Sequence, residues 1–326
     1  PFNSDTWKRA EDILKENEAC YWKKTNTQPY YLGNDFESAV IGLLRNKREQ
    51  EAVFILEYMY HQREDIDHAL LVKVLKAVIE SKKPVNTHIG HGIVELIKLL
   101  QSDTEIDQDD LCFIEAAFLH LLDYLDAFPI TIEHRMANEA DFFCELIRFA
   151  FKSKYEKSAS KAPSEKDRIR AQNSMQLLRE WRTLPGKNED GSIDENKLNS
   201  WLKEVKENCK KSGHLDIAMQ MVGGVLMYSP PDPDGLWIHH SFAKILDDKE
   251  SKHIRRGYEV KWLNSRGTHT FTAGEEERKI AKNYRERAEL VESEGYIRLA
   301  ATLKDLAKYY ERDAERDAQN DPYDDF

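Results

Sequence analysis

The sequence predicts an all-α fold: an irregular αα superhelix or multi-helical array built from paired antiparallel helices. Three observations predict it. Apolar residues return every three or four positions in one segment after another, the period that lines one face of an α-helix. The segments are punctuated by stretches such as KKPVNTH, WRTLPGKNEDG and PPDPDG, where proline removes a donor and glycine frees the backbone. Over 326 residues the apolar fraction is 40% and the charged fraction 33%, which suits helices that bury one stripe and wet the other.

In chain order, Trp7, Ala10, Ile13 and Leu14 share the face of a first helix, opposite Lys8, Arg9, Glu11 and Asp12. QPYYLGND ends it, and Asn34 or Asp35 is placed to cap a second helix carrying Phe36, Val40, Leu43 and Leu44. A partner follows through Ala52, Val53, Leu56 and Met59. Helices are expected over 66–79 and 89–100, kept apart by Pro84, which also restricts Lys83. Longer ones are expected over 109–125 and 132–151, with Pro129 at the turn. The pairs resemble solenoid units, although no constant repeat length is visible.

The Lys- and Ser-rich stretch 152–166 reads as an exposed linker. Helical spacing resumes over 168–184, then 194–205, 214–227, 237–246, 250–263, 275–292 and 296–310. The division expected is an N-terminal array over 1–160, a C-terminal helical domain over 161–317 and an acidic tail over 318–326. The chain begins with Pro1, so it reads as a processed product or a piece of a longer protein.

A net charge of −11 opposes nonspecific attraction to phosphate backbones. Cys20, Cys112, Cys144 and Cys209 form no CxxC pair, a usage expected of a reducing cytoplasm. No apolar run approaches the roughly 20 residues that span a bilayer, so no membrane partner is expected.

Several motifs invite a chemical reading. In GKNEDGSIDENK, Asn188, Asp190, Gly191 and Asp194 fall where a calcium loop has ligands and its glycine, but Gly186 and Lys197 stand where its first and last carboxylates belong. A turn leading into a helix at Asp194 is expected instead. PPDPDGLWIHHSF gathers Asp232, Asp234, His239 and His240. Consecutive histidines on a helix point about 100° apart, which denies zinc a shared face. His239 and Asp234 are the residues a hydrolase with an unrecognised site would use for acid–base work. His88 and His91 are better spaced but lack an HExxH context. Gly223 and Gly224 suit close helix packing, with neither strand nor phosphate lysine beside them. Cys112, Cys144 and Cys209 read as packing thiols. No catalytic residue, cofactor or metal is therefore expected.

Basic residues cluster at RNKR, at SKHIRR and around Lys279, Lys282, Arg285 and Arg287. Arg255, Arg256, Arg266 and Lys279 are the candidate phosphate contacts of a nucleic-acid-binding surface. Trp181, Trp201, Trp237 and Trp262 read as hydrophobic anchors of helix junctions.

WRTLPG, DGSIDENKLNSWL, GHLDIA, PPDPDG-W, NSRG, GEEERKIAKNY and LAKYYERDAERD together resemble the C-terminal helical region of large bacterial proteins of unassigned biochemical role, over residues 177–317. The resemblance implies company with regulatory or mobile-element modules, and so a control or defence setting. The function expected is a protein–protein interaction or scaffold region with a protein partner, and the alternative is a nucleic-acid-associated regulator.

Overall fold

In the computed structural model, residues 4–25, 27–32, 35–155, 164–267 and 272–319 are described. They form an all-α multi-helical array, and the β-structure among them is an isolated bridge between Lys187 and Ile193. The chain divides into two compact units, 1–132 and 133–326. The division precedes the Lys- and Ser-rich stretch, most of which lies outside the described residues, as does the tail beyond Gln319.

The first unit holds α1 (Ser4–Leu14), α2 (Glu18–Lys24), α3 (Phe36–Arg45), α4 (Glu49–His61), α5 (His68–Ser81), α6 (Thr87–Gln101), α7 (Gln108–Ala117) and α8 (Leu119–Tyr124). Helix α4 packs against α3, α5 and α6, and Leu43, Leu56, Leu71, Leu75, Ile93 and Leu96 fill the core between them. Short polar residues cap three of these helices. Asp67, Asn86 and Asp107 accept from backbone N–H groups in the first turns of α5, α6 and α7, which would otherwise lack partners. Asp35 stands at the N-cap of α3 without a side-chain capping bond, and Asn34 lies outside the described residues.

The helix expected over 109–125 breaks at Phe118, between α7 and α8. That over 132–151 breaks at Glu139, whose extended backbone separates α9 (Ile130–Asn138) from α10 (Ala140–Ala150). Apolar periodicity survives both breaks, so the pattern alone does not reveal them.

Glu115 on α7 is fully buried. Its carboxylate accepts from Gln101 Nε2 at 2.7 Å, Thr131 N at 3.1 Å and Ile132 N at 2.9 Å, and so caps the start of α9 from a distance in sequence. Burial pushes its carboxyl above the ordinary range, against those bonds, which hold it down. With the folded pKa raised, this group's stabilisation is complete below the unfolded value and is lost as pH rises through the folded one. Glu115→Ala, which strands the α9 amides, is expected to cost about 1–3 kcal/mol in urea unfolding. Glu115→Gln is expected to flatten the pH dependence in that window. Parent-like behaviour of both variants would refute this account.

The second unit adds α11 (Glu165–Glu180), α12 (Glu195–Ser212), α13 (Leu215–Val225), α14 (His240–Asp247), α15 (Lys252–Asn264), α16 (Glu275–Ser293) and α17 (Ile297–Gln319). Helices α16 and α17 pair along their lengths across a tight turn at Gly295, the short connection of an antiparallel hairpin. Helices α13 and α15 do otherwise. Gly257 faces Gln220, and Gly224 faces Lys261, so position advances together on both and they run in the same direction. Phe143, Trp181 and Trp201 pack with ring centroids 5.2–5.9 Å apart. The anchoring expected of Trp181 and Trp201 is realised there, and the Trp201 indole donates to Met136 O at 3.2 Å.

Candidate functional site

The turn after α11 sets one wall of a cavity in the second unit. Trp181 is drawn into the aromatic cluster, and Glu133 holds the backbone that follows: its Oε2 accepts from Arg182 N, Thr183 N and Thr183 Oγ1, each at 2.9 Å. Arg179 and Arg182 are thereby presented beside the ends of α13 and α15. The cavity measures about 680 Å³, within the range of small-ligand pockets. Its apolar lining comes from Met175, Leu178, Met221 and Val225, and its polar lining from Arg179, Arg182, Lys261, Tyr228 and Glu180.

Lys261 reaches this space from α15. Burial pushes its ammonium below the usual range, opposed by Glu180 and Glu133 and reinforced by Arg182 and Arg179. Its Nζ donates to Arg179 O. The Lys261 ammonium lies 5.6 Å and the Arg182 guanidinium 5.8 Å from the centroid of the Tyr228 ring, close enough for cation–π attraction. Three cations thus share the wall with one lining carboxylate, in a chain of net charge −11. Such an arrangement is complementary to an anionic group attached to apolar bulk. Sequence reading missed it because residues 179–182, 228 and 261 meet only after folding. The one local signal was WRTLPG.

The four candidate phosphate contacts are dispersed. Arg255, near the start of α15, donates to Leu246 O at 2.7 Å and Asp248 O at 2.6 Å. Arg266, past the other end of α15, pairs with Glu277 and lies 3.8 Å from Asp313. Eleven residues of mostly helical rise, about 16 Å, separate the two. Arg256 is exposed and bonds to Glu259 at 2.8 Å, and Lys279 is exposed on α16.

The calcium-like segment folds as a closed turn. Asn188 N donates to Ser192 O, Asp194 N to Gly186 O, and Asp194 caps α12. Lys197 Nζ donates to Asn188 Oδ1 at 2.9 Å. His88 and His91 are exposed.

Pro230, Pro231 and Pro233 frame a loop that turns Asp232 and Asp234 back onto α14. Asp232 Oδ2 accepts from His240 N at 2.9 Å, and Asp234 Oδ2 lies 2.8 Å from His240 Nε2. His239 Nδ1 accepts from Ser241 N and caps α14, and its Nε2 lies 3.8 Å from Asp232 Oδ2. Between α10 and α12, Cys144 and Cys209 are both buried with their sulfurs 3.3 Å apart. The hydrogen bond to Cys209 pushes the Cys144 thiol up. Sixty-five residues separate the two in sequence, so neither thiol announces the other.

Among the described residues no helix is long and apolar enough to cross a membrane. Comparison of the chain with protein-family models, with curated proteins and with solved structures returned no match.

Proposed function

We propose that this chain is a bacterial, cytoplasmic protein–protein interaction region whose second unit receives an acidic segment of its partner, with a large apolar side chain entering the 680 Å³ cavity. The observation that carries the reading is the placement of Arg179, Arg182 and Lys261 over an apolar floor. A carboxylate docked there gains charge-assisted hydrogen bonds while the adjoining side chain leaves water. Trp, Tyr and Arg are also the residue types that dominate binding energy at protein interfaces. The resemblance of residues 177–317 to C-terminal regions of large bacterial proteins implies a control or defence setting for this interaction.

Fluorescence anisotropy with labelled peptides containing Asp/Glu next to Phe, Trp or Leu tests this directly. The expected result is saturable binding that weakens about tenfold or more in Lys261→Glu and in Arg182→Glu, the scale of one lost charged hydrogen bond. Asn/Gln versions of the peptides should fail on the parent protein. Equal binding to parent and charge-reversed variants, with unchanged helical circular dichroism, would overturn the reading. A short oligonucleotide serves as the competing probe: salt-dependent binding lost on neutralising Arg256 and Lys279 would favour the nucleic-acid alternative.

A further inference from the structure

The PPDPDG loop carries a donor set that the peptide cleft does not use. Asp232 N donates to Leu236 O at 2.8 Å and Gly235 N to Asp232 O at 2.9 Å, which closes the loop upon itself. Within it, Asp234 Oδ1 accepts from Leu236 N at 2.9 Å and Asp232 Oδ1 from Asp234 N at 3.3 Å. Both carboxylates are therefore oriented by backbone amides rather than left to swing. One ligand atom from each of Asp232, Asp234 and His240 lies within 4.8 Å of the other two.

The imidazole is oriented from outside the loop. His240 Nδ1 lies 2.8 Å from the hydroxyl of Tyr296, which sits 56 residues away at the turn between α16 and α17, and the two rings pack with centroids 5.8 Å apart. With Nδ1 engaged by the phenol, Nε2 is the nitrogen turned toward the carboxylates. Metal-binding histidines are arranged in this way: one ring nitrogen is fixed by an outer partner and the other is presented to the ion. Asp232 is largely covered and Asp234 is exposed, so the group is rooted in the protein on one side and open to water on the other. Each carboxylate oxygen accepts one hydrogen bond here and has a second lone pair to offer.

We propose that Asp232, Asp234 and His240 bind a divalent first-row transition-metal cation, with water completing its coordination. Two carboxylates supply the charge that a dication needs, and the imidazole selects zinc, manganese, iron or cobalt over calcium and magnesium, which prefer oxygen alone. The ion would sit where His240 Nε2 now meets Asp234, and would clip the loop to the start of α14 with Tyr296 as the outer support. For this motif the sequence counts against a metal only through the angle between His239 and His240 on a helix. That angle is irrelevant here, because one histidine meets two carboxylates brought back by a proline-framed loop.

Titration of the chelator-treated full chain with ZnCl2 or MnCl2 alone tests the site by calorimetry and by thermal melting. The expected result is one tight ion per chain that raises Tm, weakened at least about tenfold in Asp234→Asn and in His240→Gln. Tyr296→Phe should weaken binding by a smaller factor. Calcium and magnesium at the same concentration should leave Tm unchanged. A Cys144→Ser/Cys209→Ser variant should bind like the parent, which separates this site from the buried thiols. No heat and no shift in Tm with either metal would overturn the proposal. So would undiminished affinity in Asp234→Asn and in His240→Gln, or loss of binding in the cysteine variant alone.

Discussion

Alanine at Gly223 or at Gly257 is expected to destabilise the second unit by more than about 3 kcal/mol, whereas alanine at Gly224 is expected to be harmless. A Cβ at Gly223 would stand 1.9 Å from Ile254 O, and one at Gly257 would stand 1.8 Å from Gln220 O. Both obstacles are backbone carbonyls inside helices, so relief requires α13 and α15 to move apart as rigid bodies. Separation would strip packing from Val222, Ile254 and Tyr258, all buried, and would reshape the cavity beside them. At Gly224 the nearest atoms belong to the Lys261 side chain, no closer than 3.9 Å. There alanine meets ordinary contact and gains helix propensity, about 0.5–1 kcal/mol. Urea unfolding followed by circular dichroism compares the three variants, and a Gly223→Ala protein as stable as Gly224→Ala would refute the close approach.

Arg266→Ala is expected to cost about 3–5 kcal/mol, because it removes the guanidinium that pairs with the buried Glu277 carboxylate. Glu277 is 0% exposed and its carboxylate bonds to the Arg266 guanidinium, which also lies 5.7 Å from the Tyr310 ring centroid. Arg266→Lys should recover only part of the loss, since an ammonium lacks the planar fork that spans Glu277, Asp313 and Glu276. Arg266→Met combined with Glu277→Met, which removes both charges while keeping bulk, should recover most of it. The denaturant midpoint of the double variant is the decisive number. If it falls as far as that of Arg266→Ala, the buried-charge account fails. The same arithmetic bears on the nucleic-acid alternative: lost binding in an Arg266 variant would report a damaged fold before it reported a lost phosphate contact.

Helix existence was legible in the sequence because it is written locally. The stripes through Leu43, Leu56, Leu71 and Ile93 are buried as their spacing requires, and Asp67, Asn86, Asp107 and Asp194 cap helices that polar residues of their kind are chosen to start. The breaks at Phe118 and Glu139 were not legible, since neither position carries proline or glycine. The division at residue 132 carries no local mark either. It falls within α9, whereas the conspicuous Lys- and Ser-rich stretch begins some twenty residues later. Gly223 was readable as a packing glycine, but the backbone it meets, at Ile254 and Tyr258, lies on a later helix and bears no pattern linking the two. The cavity suffers most from this: its cations come from two separate stretches, 179–182 and 261, and its tyrosine from a third, each of which alone reads as an ordinary solvated surface.

Rods locked side by side and pointing the same way cannot be joined by a hairpin. After α13 the chain must travel back the length of that helix, about 17 Å for its eleven residues, before α15 begins. The return path is the stretch from Leu226 to Ser251, which holds the proline-framed loop and α14. The loop is therefore obligatory wiring: trimming it would drag α15 along its neighbour and unseat the glycine-to-carbonyl register, whereas lengthening it at the exposed Gly235 would leave that register alone.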